Sequence, residues 1–181
     1  MYYKTIYPSP IGPLCLACDK TCENLVGLWI QGQKYHGGSI SDKMIQKDDV
    51  ALFDAIKAWL DRYFAGESPD ASKLPLALSG SPFRQEVLNI LREIPYGELI
   101  SYGDIAKKMA EKMGRKSMSS QAVGGAVGHN PISIIIPCHR VIGSTGSLTG
   151  YASGLETKIK LLELEGVDTS KFSLPKKGTA L

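Results

Sequence analysis

The chain has 181 residues, 43% of them apolar and 22% charged, a balance that suits a folded globular protein and excludes a disordered one. That length fits one ordinary domain or two small ones. A net charge of +3 permits an anionic partner without demanding one. No apolar run is long enough for a membrane helix, and the opening MYYKTIYPSP lacks the regions of a signal peptide, so a cytoplasmic protein without membrane contact is expected.

From Met1 to Ile30, short apolar runs broken by turns predict two or three antiparallel strands. Residues 31–49 are polar and Gly-rich and predict a surface loop. Leu52, Ile56, Trp59, Leu60 and Tyr63 recur at helical spacing between Asp49 and Ala65, with Gly66 where a C-terminal cap belongs. Glu67 to Ser81 is a connector. Ser81 and Pro82 then open a second helix, with Phe83, Val87, Ile90, Leu91 and Ile94 as its apolar stripe.

A third helix starts at Ser101, where Asp104 completes a capping box, and turns Ile105, Ala106, Met109 and Met113 inward until Gly114 stops it. After the basic turn Arg115-Lys116-Ser117, a short helix runs from about Ser119 to Gly128 with Ala122, Val123, Ala126 and Val127 inward, and the pair makes a helix-turn-helix candidate. Ile132 to Ile136 reads as a buried strand leading into Pro137-Cys138-His139-Arg140. A glycine-rich loop from Gly143 to Gly154 precedes a last helix, Leu155 to Glu165, capped by Gly166, and a polar tail.

Of the four cysteines, Cys15, Cys18 and Cys22 crowd near the N-terminus and Cys138 stands apart, a poor layout for a disulfide framework. Only His36 lies near enough to complete a zinc site with the first three, so strand and turn cysteines without metal are expected. An isolated cysteine is most often a small core hydrophobe, but Cys138 is followed directly by His139. A thiol is mostly protonated at neutral pH and needs a base to become a nucleophile. Neighbouring side chains diverge along an extended chain, so a bridging water is the easier link between the two. A carboxylate on the far ring nitrogen would hold the tautomer. Glu165 reaches it if the last helix packs against the strand end, and is otherwise a solvated helix-end glutamate.

The stretch Asn130-Pro131-Ile132-Ser133-Ile134-Ile135-Ile136-Pro137-Cys138-His139-Arg140-Val141 resembles the active-site signature of the O6-alkylguanine-DNA alkyltransferases, or methylated-DNA-protein-cysteine methyltransferases. The similarity extends through Pro95 to Tyr102, Ala122 to Ala126, Gly150-Tyr151 and Leu161 to Gly166. It covers residues 82–166 strongly and the N-terminal part loosely. It implies an α+β protein: a ribonuclease-H-like α/β domain with an antiparallel sheet over residues 1–80, and a mostly helical DNA-binding and alkyl-transfer domain with the helix-turn-helix over 81–181.

The same resemblance implies direct reversal of O6-alkylguanine, and of O4-alkylthymine, by irreversible one-for-one transfer of the alkyl group to Cys138. His139 becomes the base acting through water, Glu165 its orienting partner, Asn130 a brace for the turn before the cysteine, and Tyr102 the hydroxyl that assists the leaving guanine. Tyr102, Val141 through its carbonyl, Tyr151, Ala152, Ser153 and Val127 form the base pocket. The nucleotide must leave the duplex stack to be reached. Gln121, Ala122, Gly124, Gly125, Ser101, Arg115 and Lys116 are then the DNA contacts, the small residues admitting a helix to the minor groove of double-stranded DNA. Lys107, Lys108 and Lys112 could add phosphate neutralisation, although a charge cluster by itself reads as a solvated helix face. No cofactor, metal or obligate protein partner is implied, and the protein is expected to be a monomer.

Two positions depart from the family pattern. Gln121 stands where members commonly carry an arginine that fills the gap left by the flipped nucleotide, and it lacks that residue's charge and stacking plane. Ala152 replaces a common serine and leaves its backbone N–H to meet the guanine oxygen. The segment from Tyr102 to Gln121 is a few residues long for the family and would project. Two other readings use the same residues: a damage-sensing DNA binder that transfers nothing, and a thiol hydrolase with Cys138, His139 and Glu165 as a triad. A binder never becomes alkylated, a hydrolase turns over, and a transferase stops after one equivalent.

Overall fold

Residues 1–174 are described by the computed structural model; the end of the polar tail, 175–181, lies outside the described residues. Chain contacts divide into two units, Met1–Ser79 together with Pro131–Ile135, and Gly80–Asn130 together with the chain from Ile136 onward.

In the first unit Tyr2–Ser9 (β1), Gly12–Cys18 (β2) and Leu25–Ile30 (β3) form an antiparallel meander, as the turn-broken apolar runs predict. β2 is central, and Leu14 to Cys18 are all buried, because a strand covered on both faces carries an unbroken apolar run. Its neighbour β1 alternates instead, with Thr5 and Tyr7 inward and Ile6 outward. Helix Ala51–Phe64 (α1) turns Phe53, Ile56, Leu60 and Tyr63 to the core, and the Tyr7 hydroxyl donates to Asp61 at 2.7 Å.

The segment expected as a plain loop contains more. A 3-10 turn, Gly38–Lys43, leads into Met44–Gln46 (β4), which adds to the free edge of β1 in parallel and completes the order β3-β2-β1-β4. The parallel sense follows from a connection long enough to cross over, and the strand is invisible to periodicity because it is only three residues long, with Ile45 exposed. The sheet is therefore mixed at that edge.

The predicted strand Ile132 to Ile136 is not a strand. Pro131 accepts from Leu28 N–H and Leu28 accepts from Ser133 N–H, each at 2.9 Å, after which the backbone turns through Ile134 at φ 70°. All its isoleucines are buried; apolarity signalled burial correctly but cannot distinguish a strand from a buried irregular segment.

The second unit contains helices Pro82–Arg92 (α2), Tyr102–Lys112 (α3), Ser120–Gly128 (α4) and Leu155–Leu164 (α5), and the short parallel strands Ile100–Ser101 (β5) and Val141–Ile142 (β6). Serines cap three of these helices. Ser81 Oγ accepts from Arg84 N–H and Ser119 Oγ from Ala122 N–H, while Ser101 Oγ accepts from Asp104 N–H at 3.0 Å and donates to its carboxylate at 2.6 Å. Met113 and Ala122 differ from expectation, both facing outward. Met113 lies past the last full turn of α3, and α4 is apolar nearly all round, so its sequence did not determine which side is buried. No helix among the described residues is long and apolar enough to cross a membrane.

The tightest fit in the sheet is at Gly27, where a Cβ would lie 1.8 Å from Trp29 Cη2. The Trp29 ring occupies that space and packs with Cys15 and Ala17. Gly27→Ala is expected to expel the indole and cost about 1–3 kcal/mol, read as a lower urea midpoint with red-shifted tryptophan emission; an unchanged midpoint would contradict this packing.

Candidate active site

After Pro137 the chain makes a single 3-10 turn, Cys138–Arg140, whose three side chains are all buried. One turn can bury three polar or reactive groups in succession only if each finds a partner. Asn130 serves the first. Its side-chain amide donates to the Ile136 carbonyl at 2.8 Å and to Cys138 Sγ at 3.1 Å, so one residue fixes both the backbone before the turn and the thiol on it.

Glu165, the C-cap of α5, serves the other two. Its Oε1 accepts from His139 Nε2 at 2.7 Å and from Arg140 Nη2 at 2.9 Å, and its Oε2 accepts from Arg140 Nε at 2.8 Å and from Gly97 N–H at 3.0 Å. Arg140 Nη1 also donates to the Ile94 carbonyl at 2.6 Å. Burial opposes ionisation of Glu165, but the bonds from His139 and Arg140 outweigh it and hold the carboxyl well below the usual range. A carboxylate accepts only, so His139 Nε2 carries the proton and Nδ1 is the basic nitrogen. Burial pushes the imidazole pKa down against the pull of Glu165, which leaves the ring neutral and able to take a proton at neutral pH.

Burial raises the Cys138 thiol above its ordinary value, although Asn130 and the Lys158 charge work the other way. The resting sulfur is a protonated thiol. Around it, Tyr102 donates to the Gly150 carbonyl at 3.3 Å, and burial raises its hydroxyl to about 12. Gly150 is at φ 72°, and a Cβ there would lie 2.5 Å from that hydroxyl. Tyr151 sets its ring edge-on to His139, with centroids 6.4 Å apart. Val141 and Val127 are buried, while Ala152 and Ser153 are half-buried in the turn before α5.

Among the positions expected to meet DNA, Gln121, Ala122 and Gly125 are exposed on α4, and Gly124 backs onto the Tyr102 ring. Ser101 is half-buried, its hydroxyl engaged by Asp104 as the cap of α3. Arg115 and Lys116 are exposed between α3 and α4. Lys112 is less available than its neighbours, since it pairs with Glu86 at 2.5 Å.

Two buried cations escaped the sequence reading. Arg140 stands inside the signature stretch, where nothing in the sequence marks it as buried. Lys158 is fully buried, its ammonium donating to the carbonyls of Val141 at 2.5 Å and Thr149 at 2.7 Å, and burial lowers its pKa to about 8. Spacing carried a signal for it: Lys158, Leu161, Leu162 and Glu165 share one helical face.

Two family models match the chain: 6-O-methylguanine DNA methyltransferase, ribonuclease-like domain, over residues 1–78, and 6-O-methylguanine DNA methyltransferase, DNA binding domain, over residues 82–167. A methylated-DNA-protein-cysteine methyltransferase of Methanosarcina acetivorans is 44% identical, the alignment covering 92% of this chain and 99% of that protein. Its counterpart from Haemophilus influenzae is 40% identical over 91% of this chain and 87% of its own. The crystal structure of the Mycobacterium tuberculosis O6-methylguanine methyltransferase superposes with a TM-score of 0.76 at 39% identity, covering 98% of this chain and 97% of the other. With Cys138 and His139 of the signature buried on one turn, the histidine bonded to Glu165, and both family models matched along the chain, this protein belongs to the 6-O-methylguanine DNA methyltransferase family.

Proposed function

We propose that this chain repairs O6-alkylguanine in DNA by moving the alkyl group onto Cys138 Sγ, one group per protein molecule. The observation that carries this reading is the buried His139–Glu165 pair on the turn that presents an Asn130-bonded thiol. His139 Nδ1 takes the thiol proton through a water, and Glu165 stabilises the imidazolium. Sulfur attacks the alkyl carbon in line; the S–C bond forms as the C–O bond breaks, and the electron pair stays on the guanine oxygen. Tyr102, kept protonated by its raised pKa, donates to the departing base. The thioether is stable and nothing returns the thiol, so the protein is consumed.

The base enters a pocket walled by Tyr102, Tyr151, Val127 and Ser153, with the Ala152 N–H meeting the guanine oxygen. The Val141 carbonyl accepts the exocyclic amine through the lone pair that Lys158 leaves available. To arrive there the nucleotide swings out of the duplex, at a cost of a few kcal/mol. Gln121 fills the gap while Ala122, Gly124 and Gly125 admit α4 to the minor groove, and Ser101, Arg115 and Lys116 meet phosphates. O4-alkylthymine is a second substrate of the same pocket. The protein acts as a cytoplasmic monomer on double-stranded DNA. A crystal structure of a related Mycobacterium tuberculosis protein in complex with DNA, 40% identical with a TM-score of 0.74 and covering 91% of each chain, supports DNA as the partner.

The deciding experiment mixes the protein with a duplex carrying O6-methylguanine and maps the modified peptide by mass spectrometry. One methyl group on Cys138 and none on Cys138→Ser is expected. Binding without a mass increment would mark a damage sensor, and product beyond one equivalent a hydrolase.

Glu165→Gln should slow transfer by about 100-fold or more and, by stripping the buried Arg140 of its counter-ion, cost about 3–5 kcal/mol of stability. Single-turnover rates on protein shown folded by circular dichroism separate the two effects. The transfer rate should fall as pH drops through the depressed pKa of His139, because protonation removes the base. Stability moves the same way. A histidine held neutral in the fold but free to protonate when unfolded contributes fully above the ordinary value of about 6.5, and that contribution is lost as pH falls from there toward the folded pKa. A rate that rises on acidification would rule out His139 as the base.

Gln121→Arg should raise the rate on duplex substrate and leave the rate on the free modified base unchanged, since only the duplex demands a wedge. Equal duplex rates for the two proteins would show that glutamine fills the gap as well as a guanidinium does.

A further inference from the structure

The chain beyond α5, which the sequence offers only as a polar tail, turns back to the glycine-rich loop. Asp168 caps a 3-10 turn, Thr169–Lys171, by accepting from the Ser170 N–H at 3.2 Å and the Ser170 hydroxyl at 2.6 Å, and the Thr169 hydroxyl donates to Glu163 of α5 at 2.8 Å. Phe172 then runs extended, at φ −106° and ψ 147°, into Ser173. Ser173 pairs in parallel with Ser147: its carbonyl accepts from the Leu148 N–H at 3.0 Å, and its N–H donates to the Gly146 carbonyl at 3.2 Å. The Phe172 ring lies against Gly146, 3.7 Å from where a Cβ would stand. Residues 168–173 lie beyond the family match, which ends at residue 167.

The loop that Ser173 meets has little to hold it from within. Between Gly143 and Gly150 its one large apolar side chain is Leu148, which is fully buried, and a segment that buries so little of itself opens at low cost. The inner end is fixed, because Lys158 donates to the Thr149 carbonyl at 2.7 Å and the Tyr102 hydroxyl to the Gly150 carbonyl at 3.3 Å. The outer half is fixed by Ser173 through Gly146 and Leu148. Tyr151, Ala152 and Ser153, the wall of the proposed base pocket, follow directly on this loop in the chain.

We propose that residues 168–173 are a positioning strap that fixes the pocket wall at Tyr151 and so makes the transfer selective for small alkyl groups. The inference rests on the alkyl-transfer reading above and adds to it what the size of the group meets. A methyl group fits against the wall as it stands. A benzyl group needs Tyr151 and the loop before it to give way, and that movement breaks the pairing of Ser173 with Gly146 and Leu148. The strap therefore slows bulky groups and leaves small ones alone. DNA binding and extrusion of the nucleotide are common to both substrates, so the ratio of their rates isolates the wall.

The test measures single-turnover transfer from two duplexes of one sequence, carrying O6-methylguanine or O6-benzylguanine, to the full-length protein and to Ser173→Pro and Ser173→Ala. Proline removes the N–H that meets Gly146 and suits the extended Phe172 before it, whereas alanine keeps both backbone bonds. Losing one such bond shifts the docked-to-released ratio by about tenfold, so the benzyl-to-methyl rate ratio should rise about tenfold in the proline variant and stay at the wild-type value in the alanine one. Hydrogen exchange at the Leu148 N–H should be slow in the wild type and faster in the proline variant alone. Phe172→Ala, which takes the ring off Gly146 without deleting a backbone bond, should move the rate ratio the same way by a smaller factor, and it carries the test if proline prevents folding. A ratio that stays put while Leu148 loses protection would overturn the proposal, as would a Leu148 amide equally protected with proline at 173. Absence of methyl on Cys138 of the wild type would instead sink the transfer reading, and exchange at Leu148 would still decide whether Ser173 holds the loop.

Discussion

Four hydrogen bonds to one buried carboxylate hold the second unit's chemistry together. Glu165 gathers the imidazole of His139, both faces of the Arg140 guanidinium fork and the Gly97 N–H, joining the end of α5, the cysteine turn and the turn after α2. A buried carboxylate alone would be very costly, and it is tolerable here because every lone pair direction has a donor and one donor is a full cation. Gly97 shows how closely this junction is fitted: at φ 74° it presents its N–H to the carboxylate, and a Cβ would come within 2.9 Å of the Glu165 carbonyl. The imidazole is held so firmly because its partner is held from three sides.

Asn130 plays a parallel role for the sulfur. The chain between it and Ile136 belongs to the contacts of the first unit, where Pro131 and Ser133 bond to Leu28. By tying its amide to the Ile136 carbonyl, Asn130 closes that excursion and sets the start of the cysteine turn. The remaining amide hydrogen goes to Sγ, a neutral donor that stabilises developing negative charge without fixing a proton on the sulfur. The parallel pairing of β5 with β6 then sets Val141 and Ile142, which follow this turn, against Ile100 and Ser101, the latter the N-cap of α3, whose first residue is Tyr102.

Much of this was legible in the sequence because it rests on local rules. Serine caps at Ser81, Ser101 and Ser119 announce helix starts through their own hydrogen bonds, and the stripes of α1 and α2 repeat at the helical period. The signature residues were legible through resemblance, and the structure places Cys138, His139, Glu165 and Asn130 within one cluster. What escaped depends on long-range partners. β4 exists only because β1 offers an edge, and Ile132 to Ile136 bends because Leu28 accepts and donates at that point. Arg140 looked like an ordinary basic residue after a histidine, since nothing local reveals that Glu165 and the Ile94 carbonyl will enclose it.

Lys158 shows what the cluster requires electrically. Its depression from an ordinary value near 10.5 to about 8 means that burying this ammonium costs the fold roughly 3 kcal/mol at neutral pH, where it is charged in both folded and unfolded chains. An apolar residue would avoid that cost, so the charge needs a counterpart. Arg140 and Glu165 already cancel, and the resting thiol and imidazole are neutral, which leaves the lysine charge unmatched by them and acting in favour of the thiolate form of Cys138. In the proposed transfer, the thiolate formed at Cys138 would meet a charge that is already in place and already desolvated. Preorganised charge of this kind needs no rearrangement at the moment of reaction. The same ammonium holds the Val141 and Thr149 carbonyls at fixed positions, so the cation that supports the sulfur also sets the backbone on either side of the glycine-rich loop.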